Sequence, residues 1–282
     1  MSIITLTTDY GLKDHFVGAL KGKLLTEFSD AKIIDISHQI DPFNTAEASY
    51  IIGASYANFP KGTVHIIGVD AEKNKENQHL AMQWNDHFFV CADNGILSML
   101  SQKIVPQKIV AINIHDRLPV DATDLDVFVT VACHLAKGGL LNVIGKEIQS
   151  IKQITELQAV VASDGNSIKG SVIYIDHFGN VVTNISKKKF IAAAKGRPYE
   201  IILNEKRRQQ DRNNIKNIWP KYSDIAISEK YPIKNYEGDK LAIFNEAGFL
   251  EIAIFRSNPN NVGSASSLLG IGYRDVISIV FF

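Results

Sequence analysis

Short runs rich in β-branched and aromatic residues alternate with stretches of helical period through the first half of the chain. That alternation predicts an α/β domain with a largely buried sheet. Ile3 to Thr8 reads as the opening strand. Past the turn at Asp9-Tyr10-Gly11, Phe16, Leu20, Leu24 and Phe28 recur every fourth position, which predicts a helix over 14–28 with these four on one face. Further strands are predicted over 31–36, 63–69, 80–84, 87–91 and 108–112. Helices are predicted over 46–59, stopped by Pro60, and over 127–136, ended by Gly138-Gly139. Asp70 therefore stands at a strand's carboxyl end.

Between Lys146 and Ser167 the periodicity fades into polar, glycine-containing sequence, and the domain boundary is placed there, giving units of 1–155 and 168–282. The second half carries strand-like runs at 171–175, 199–203, 240–244, 250–255 and 276–281, with weak helical signals, and reads as a small β-barrel or sandwich. The polar segment Asn204 to Asn217 places Lys206, Arg207, Arg208, Arg212 and Lys216 against Glu205 and Asp211, and reads as a solvated excursion.

Composition narrows the function. Of 282 residues, 45% are apolar, which fills a proper core and excludes disorder. Thirty Lys plus Arg balance thirty Asp plus Glu, so no basic field attracts a phosphate backbone, and a small molecule is a better expected partner than nucleic acid. No apolar run reaches the roughly 18 residues of a membrane span, and the first residues lack the layout of a secretory signal. Cys91 and Cys133 stand alone, without a CxxC pair. A cytoplasmic protein that touches no membrane is the expectation.

Aspartates are the candidate site residues. Asp9 follows a strand and precedes a glycine turn, which projects its carboxylate from the sheet edge where open α/β sheets bind ligands. Asp14 either caps the following helix or faces that ligand. Asp70 either starts a turn or serves the site. Asn94-Gly95 suits a tight turn, and turn chemistry accounts for most of Ile175-Asp176-His177-Phe178-Gly179-Asn180. The eight histidines show no metal-binding spacing, and no P-loop, GxGxxG or GxSxG fingerprint is present, so neither a metal nor a cofactor is expected.

Ile4-Thr5-Leu6-Thr7-Thr8-Asp9-Tyr10-Gly11, with Asp14, Val17-Gly18 and Lys21-Gly22, resembles the opening of the SAM hydroxide adenosyltransferase family, relatives of the S-adenosylmethionine (SAM)-dependent fluorinase and chlorinase. The likeness continues through Ile34-Asp35-Ile36-Ser37-His38 with Pro42-Phe43, Phe59 to His65, Asp93-Asn94-Gly95, Ile175 to Asn180 with Thr183-Asn184, and Gly248 to Ala253. The resemblance implies an amino-terminal α/β domain, a carboxyl-terminal β-barrel, and a homotrimer binding SAM between subunits. It also implies an activity, in which water attacks the ribose carbon bonded to sulfonium and releases methionine and adenosine. SAM is then the substrate and no cofactor is needed. By motif match, Asp9 holds the ribose hydroxyls, Asp14 and Asp176 contact the methionine ammonium, and Asn180 fixes the same end or the sugar. Asn245 falls in the family's Asn-Ser-aromatic-or-Arg-Gly ligand segment. Asp70 matches the aspartate of an Asp-Arg-His group that positions water.

The departures are at that group. Asn77 stands at the arginine position and Thr123 at the histidine position, so two of three water-activating residues are replaced, with Lys75, His79 and His115 as nearby candidates for compensation. Asn245-Glu246-Ala247-Gly248 adds a carboxylate that would repel a methionine carboxylate in the same pocket. The expected function is a SAM hydrolase. The alternative is a non-catalytic or nearly inactive binder of adenosine or SAM, and a halide-using transferase is disfavoured because nothing signals a desolvated halide pocket.

Overall fold

The computed structural model describes residues 2–101, 106–154, 158–203, 214–226 and 231–282. The chain divides into two units, Met1–Ile154 and Thr155–Phe282.

In the first unit the chain runs β1 (Ile3–Thr8), α1 (Phe16–Glu27), β2 (Lys32–Ser37), α2 (Thr45–Ser55), β3 (Val64–Gly68), β4 (His79–Trp84), β5 (His87–Ala92), α3 (Ile96–Ser101), β6 (Lys108–Ile112), α4 (Asp124–Ala136), α5 (Leu141–Ile144) and β7 (Gly145–Glu147). Among the described residues the strands form one sheet in the order β2-β1-β3-β5-β4-β6-β7. The neighbours from β2 to β5 pair in parallel, and those from β5 to β7 are antiparallel. β4 returns as β5 through Asn85 and Asp86, both left-handed at φ 50° and 63°, the backbone that a two-residue hairpin with the sheet's own twist demands.

Alternation sends the strand side chains to two cores. Ile4, Leu6, Val64, Ile66, Ala81 and Val90 pack with Leu20 and Leu24 of α1 and with Phe128, Val131 and Leu135 of α4. Ile67, Leu80, Met82, Phe89 and Cys91 pack with Ile52 of α2 and with Ile96 and Leu97 of α3. Each fully buried side chain of this kind contributes about 1.5–3 kcal/mol. The predicted helical face needs one correction: Val17, Leu20 and Leu24 are buried, but Phe16, the first residue of the helix, is 48% exposed. β2, on the sheet's edge, is also only partly covered. β1 leads to β2 on one side, and β3 then lands on its other side. The carboxyl ends of β1 and β3 thus flank the point where strand order reverses, the position where such sheets bind ligands. Asp9 and Asp70 are the residues just beyond those ends.

The second unit holds β8 (Val160–Val161), β9 (Ser167–Ile175), β10 (Val181–Ser186), α6 (Lys187–Ala194), β11 (Tyr199–Ile202), β12 (Ile218–Trp219), β13 (Lys240–Phe244), β14 (Phe249–Ile254), α7 (Ala265–Leu269) and β15 (Val276–Phe281). Its sheet follows β11-β15-β9-β10-β14-β13-β12, with β8 beside β9, around a core that includes Val172, Ile185, Ile201, Ile252 and Ile279. Gly170 lets β9 cross this core closely, since a Cβ there would collide with Ile185. Where the resemblance implies a barrel, the described residues show a curled half-barrel sheet. Its edges approach through the segment 215–219, in which Ile215 bridges to Ile201 of β11 and β12 pairs with β13. Most of the basic segment 204–217 lies outside the described residues; Lys216 sits 3.9 Å from Glu200.

No helix of the described residues is long and apolar enough to cross a membrane.

Candidate active site

Three loops meet at Asp9. Its Oδ2 accepts the backbone N–H of Phe43 at 3.0 Å and that of Asp70 at 3.4 Å, while its own N–H reaches the Gly68 carbonyl at 3.4 Å. Both donors belong to residues in the left-handed region, Phe43 at φ 63° and Asp70 at φ 45°. A side chain at such a φ costs roughly 1–2 kcal/mol, and the Asp9 carboxylate offsets part of this by binding both N–H groups. Both bonds fall on one oxygen, and Oδ1 has no hydrogen-bond partner among the described residues.

Asp70 is held from behind as well. The buried Asn94 amide donates to the carbonyls of Val69 at 2.9 Å and of Asp70 at 3.0 Å, and Gly95 makes the turn at φ 97°. Asn94-Gly95 is thus the turn expected, and its side chain also fixes the Asp70 backbone, a contact that spacing alone does not reveal. On the other flank Thr8 Oγ1 accepts the Tyr10 N–H and lies 2.8 Å from Nδ1 of the buried His38, whose carbonyl accepts the Gly11 N–H at 2.7 Å. His38 Nε2 is 3.1 Å from Asp35 Oδ1 but off the line of a hydrogen bond. Burial raises the Tyr10 phenol above its ordinary value, and the negative charges of Asp9 and Asp124 add to this.

Asp14 is exposed, one residue before His15, which occupies the N-cap position of α1 without a side-chain capping bond. Asp14 therefore does not cap the helix. Asn77 and Thr123 both have structural work. Asn77 closes the 74–77 turn through its N–H to Asn74 Oδ1 at 2.9 Å, and its Oδ1 accepts from Lys152 Nζ at 3.2 Å. Thr123 forms a capping box with Asp126 at the start of α4. Lys75 is exposed.

A second cluster sits beside the Asp70 loop. The fully buried His79 places Nε2 3.0 Å from the Ala71 carbonyl and 3.7 Å from Asp124 Oδ1, and its Nδ1 lies 3.3 Å from His115 Nε2. Asp124 Oδ2 also accepts the Lys73 N–H at 2.9 Å. Burial is the largest influence on both imidazoles and lowers their basicity from the ordinary value. Among the described residues no group of histidine, cysteine, aspartate and glutamate is arranged to hold a metal ion.

In the second unit Asp176 Oδ1 accepts the N–H groups of Phe178 and Asn180 at 2.9 and 2.8 Å, and its Oδ2 accepts from the Asn180 amide at 3.0 Å. Gly179 completes this turn at φ 73°, where a Cβ would strike Ser264. A buried carboxyl that the sequence reading missed connects these residues. Glu251 on β14 accepts from Tyr222 Oη, from Asn245 Nδ2 at 3.1 Å and from the Asn180 side chain; burial raises its pKa, and the Asp176 charge acts in the same direction. Asp176, Asn180 and Asn245 thus share one network. Glu246 is exposed on the β13–β14 turn. The signal for Glu251 was available, since it is the single charged residue within the apolar run from Phe249 to Phe255.

Comparison with known proteins places this geometry. Residues 4–145 match the SAM hydroxide adenosyltransferase N-terminal domain, and residues 170–278 match the C-terminal domain of the same family. The chain is 31% identical to the (R)-S-adenosyl-L-methionine hydrolase of Methanocaldococcus jannaschii, with 100% of this chain and 97% of that protein covered. It is 23% identical to the fluorinase of Actinopolyspora mzabensis, over 89% of this chain and 90% of that protein. Among solved structures, an uncharacterized conserved protein from Thermotoga maritima superposes with a TM-score of 0.78 at 28% identity, covering 99% of each chain. With both domain models matched in order and a relative aligned over the whole chain, the protein belongs to the SAM hydroxide adenosyltransferase family.

Proposed function

We propose that this chain hydrolyses S-adenosylmethionine to adenosine and methionine, and that it acts on the (R) sulfonium epimer named in its hydrolase relatives. The observation that carries the reading is the Asp9 carboxylate at the strand-order reversal, bound on one oxygen by the left-handed Phe43 and Asp70 and without a hydrogen-bond partner among the described residues on the other. Sulfonium is already an excellent leaving group, so the protein has to align and desolvate water rather than activate the departing sulfur. In this reading Asp9 accepts a ribose hydroxyl, Asp70 orients the attacking water, and SAM is substrate with no cofactor. Asp14 and Asp176 supply negative charge toward the methionine ammonium, while Asn180 and Asn245 fix that end or the sugar. The working assembly is a homotrimer in the cytoplasm, a mass that sedimentation equilibrium would read directly.

The test is incubation with each resolved sulfonium epimer, following adenosine and methionine by chromatography. Equal formation of both products from the (R) epimer is expected, with Asp9→Asn and Asp70→Ala each lowering the rate by roughly 10²-fold or more. A second reading is favoured by one observation: Asn77 and Thr123 are committed to a turn and a helix cap, which leaves the two departed positions without a base. On that reading the protein binds adenosine or SAM without turnover, and calorimetry with heat of binding but no product would establish it.

A further inference from the structure

β14 carries a single charged side chain, Glu251, which is 4% exposed and stands between the fully buried Leu250 and Ile252. Burial disfavours its charge, and donors from three separate segments oppose that cost. Asn180 belongs to the turn between β9 and β10, Tyr222 to the 3₁₀ turn Tyr222–Ile225, and Asn245 to the turn between β13 and β14. A carboxylate only accepts, so each contact fixes the direction of the group it meets. Asn245 turns Nδ2 to Glu251 at 3.1 Å, and its Oδ1 accepts the Phe249 N–H at 3.1 Å. A flipped amide would set oxygen against oxygen and N–H against N–H there. Asn180 directs Nδ2 to Asp176 Oδ2 at 3.0 Å and toward Glu251 as well. Its Oδ1 accepts no hydrogen bond among the described residues, so an acceptor is what this amide has left to offer. No lysine or arginine among the described residues pairs with Asp176 or Glu251, whose partners are backbone N–H groups, amides and a phenol.

We propose that Glu251 is a positioning residue for the adenosyl ligand: it holds Asn180 as an acceptor beside Asp176, and so directs that turn to the ligand's ammonium and against its carboxylate. The proposal rests on the reading above that Asp176 and Asn180 serve the methionine end. Glu251 touches no ligand atom in this assignment and acts through the amides it orients. A neutral amide that could turn either way would offer N–H to a carboxylate as readily as oxygen to an ammonium. Tied to two carboxylates, Asn180 keeps one of those choices, and the amino-acid end of the ligand is thereby read in one orientation. Asn245 and Tyr222 complete the hold on Glu251 from the other side of the network.

Calorimetry with two probes tests this: S-adenosylhomocysteine, whose neutral sulfur is a poor leaving group, and adenosine, which lacks the amino-acid end. Glu251→Gln keeps the size of the side chain and brings an N–H donor among the donors it meets. It is expected to weaken S-adenosylhomocysteine roughly 10-fold and to leave adenosine binding unchanged. In an Asn180→Ala background the same substitution is expected to change S-adenosylhomocysteine affinity by less than about twofold, since the amide it acts through is gone. Wild-type affinity in Glu251→Gln, an equal loss for both probes, or an effect undiminished by Asn180→Ala overturns the proposal. So does a wild type that binds S-adenosylhomocysteine no more tightly than adenosine. Where Glu251→Gln does not fold, Tyr222→Phe decides, because it removes one donor to Glu251 and keeps the ring; a loss of roughly threefold confined to S-adenosylhomocysteine is expected, and unchanged affinity overturns the proposal. Since the readout is binding, these outcomes are separate from turnover. Wild type that shows this pattern but releases no adenosine from SAM removes the hydrolase reading and leaves the role of Glu251 standing.

Discussion

Asp70 combines a left-handed backbone with a side chain that no local fold requirement explains, which separates its structural and functional costs. Replacing it with glycine removes the steric cost of φ 45° and the carboxylate together. Asp70→Gly is therefore expected to leave the urea midpoint unchanged, or to raise stability by up to about 1 kcal/mol, while adenosine formation falls by roughly 10²-fold. Loss of stability with full turnover would show that Asp70 serves the turn. Asn94 predicts the reverse pattern. Asn94→Ala leaves the buried carbonyls of Val69 and Asp70 without their donor, which costs about 1–3 kcal/mol in urea denaturation and lowers turnover only through the loosened loop. Asp9 and Asp70 were legible as candidates because polar residues just after apolar strands stand out in one dimension, whereas Asp176, Asn180 and Asn245 became candidates only through the family resemblance, turn chemistry accounting for the first two. The Asn94 bridge, the His79–His115 pair and the Glu251 hub were not, since each depends on contacts between segments from 6 to 71 residues apart.

Helix starts show how an element decides the fate of a motif position. At the position where a family histidine is expected, Thr123 accepts the Asp126 N–H while the Asp126 carboxylate accepts the Thr123 N–H and hydroxyl, and Lys23 of α1 pairs with the same carboxylate. Thr123→Ala is expected to cost about 0.5–2 kcal/mol by thermal or urea denaturation, mainly by fraying the first turn of α4. An unchanged stability would mean that the cap contributes nothing. Elements with a strong one-dimensional signal were legible to the residue: the apolar runs of β1, β6, β13 and β15 have the bounds that the pattern predicts. Short elements were not. β8 and β12 have two residues each and α3 has six, too few for a period to repeat, and β10 directly follows a turn whose polar residues drew the reading.

At the scale of the molecule, buried imidazoles set the response to acid. His65 lies between Thr5 Oγ1 at 2.7 Å and His87 Nδ1 at 3.1 Å, stacked on Phe89, and burial first, then the His87 charge, lowers its pKa to about 3. The unfolded chain regains the ordinary value of about 6.5. Between those values the unfolded state binds more protons than the folded one, so this group's contribution to stability is complete above pH 6.5. It declines as pH falls toward 3, at about 1.4 kcal/mol per pH unit once well below 6.5. Burial shifts His87 and His79 in the same direction, which adds to the acid lability. Glu251 acts oppositely. Its raised pKa makes the folded state the better proton binder just above 4.5, so its contribution grows as pH falls through that window and partly offsets the histidines there. Urea midpoints measured from pH 7.5 to 4 are thus expected to be flat at first and then to fall. His65→Gln removes one titrating group and keeps a polar side chain, so its midpoint is expected to be lower than wild type at pH 7.5 and to fall less steeply below pH 6. Parallel wild-type and variant curves would show that the acid response comes from other groups.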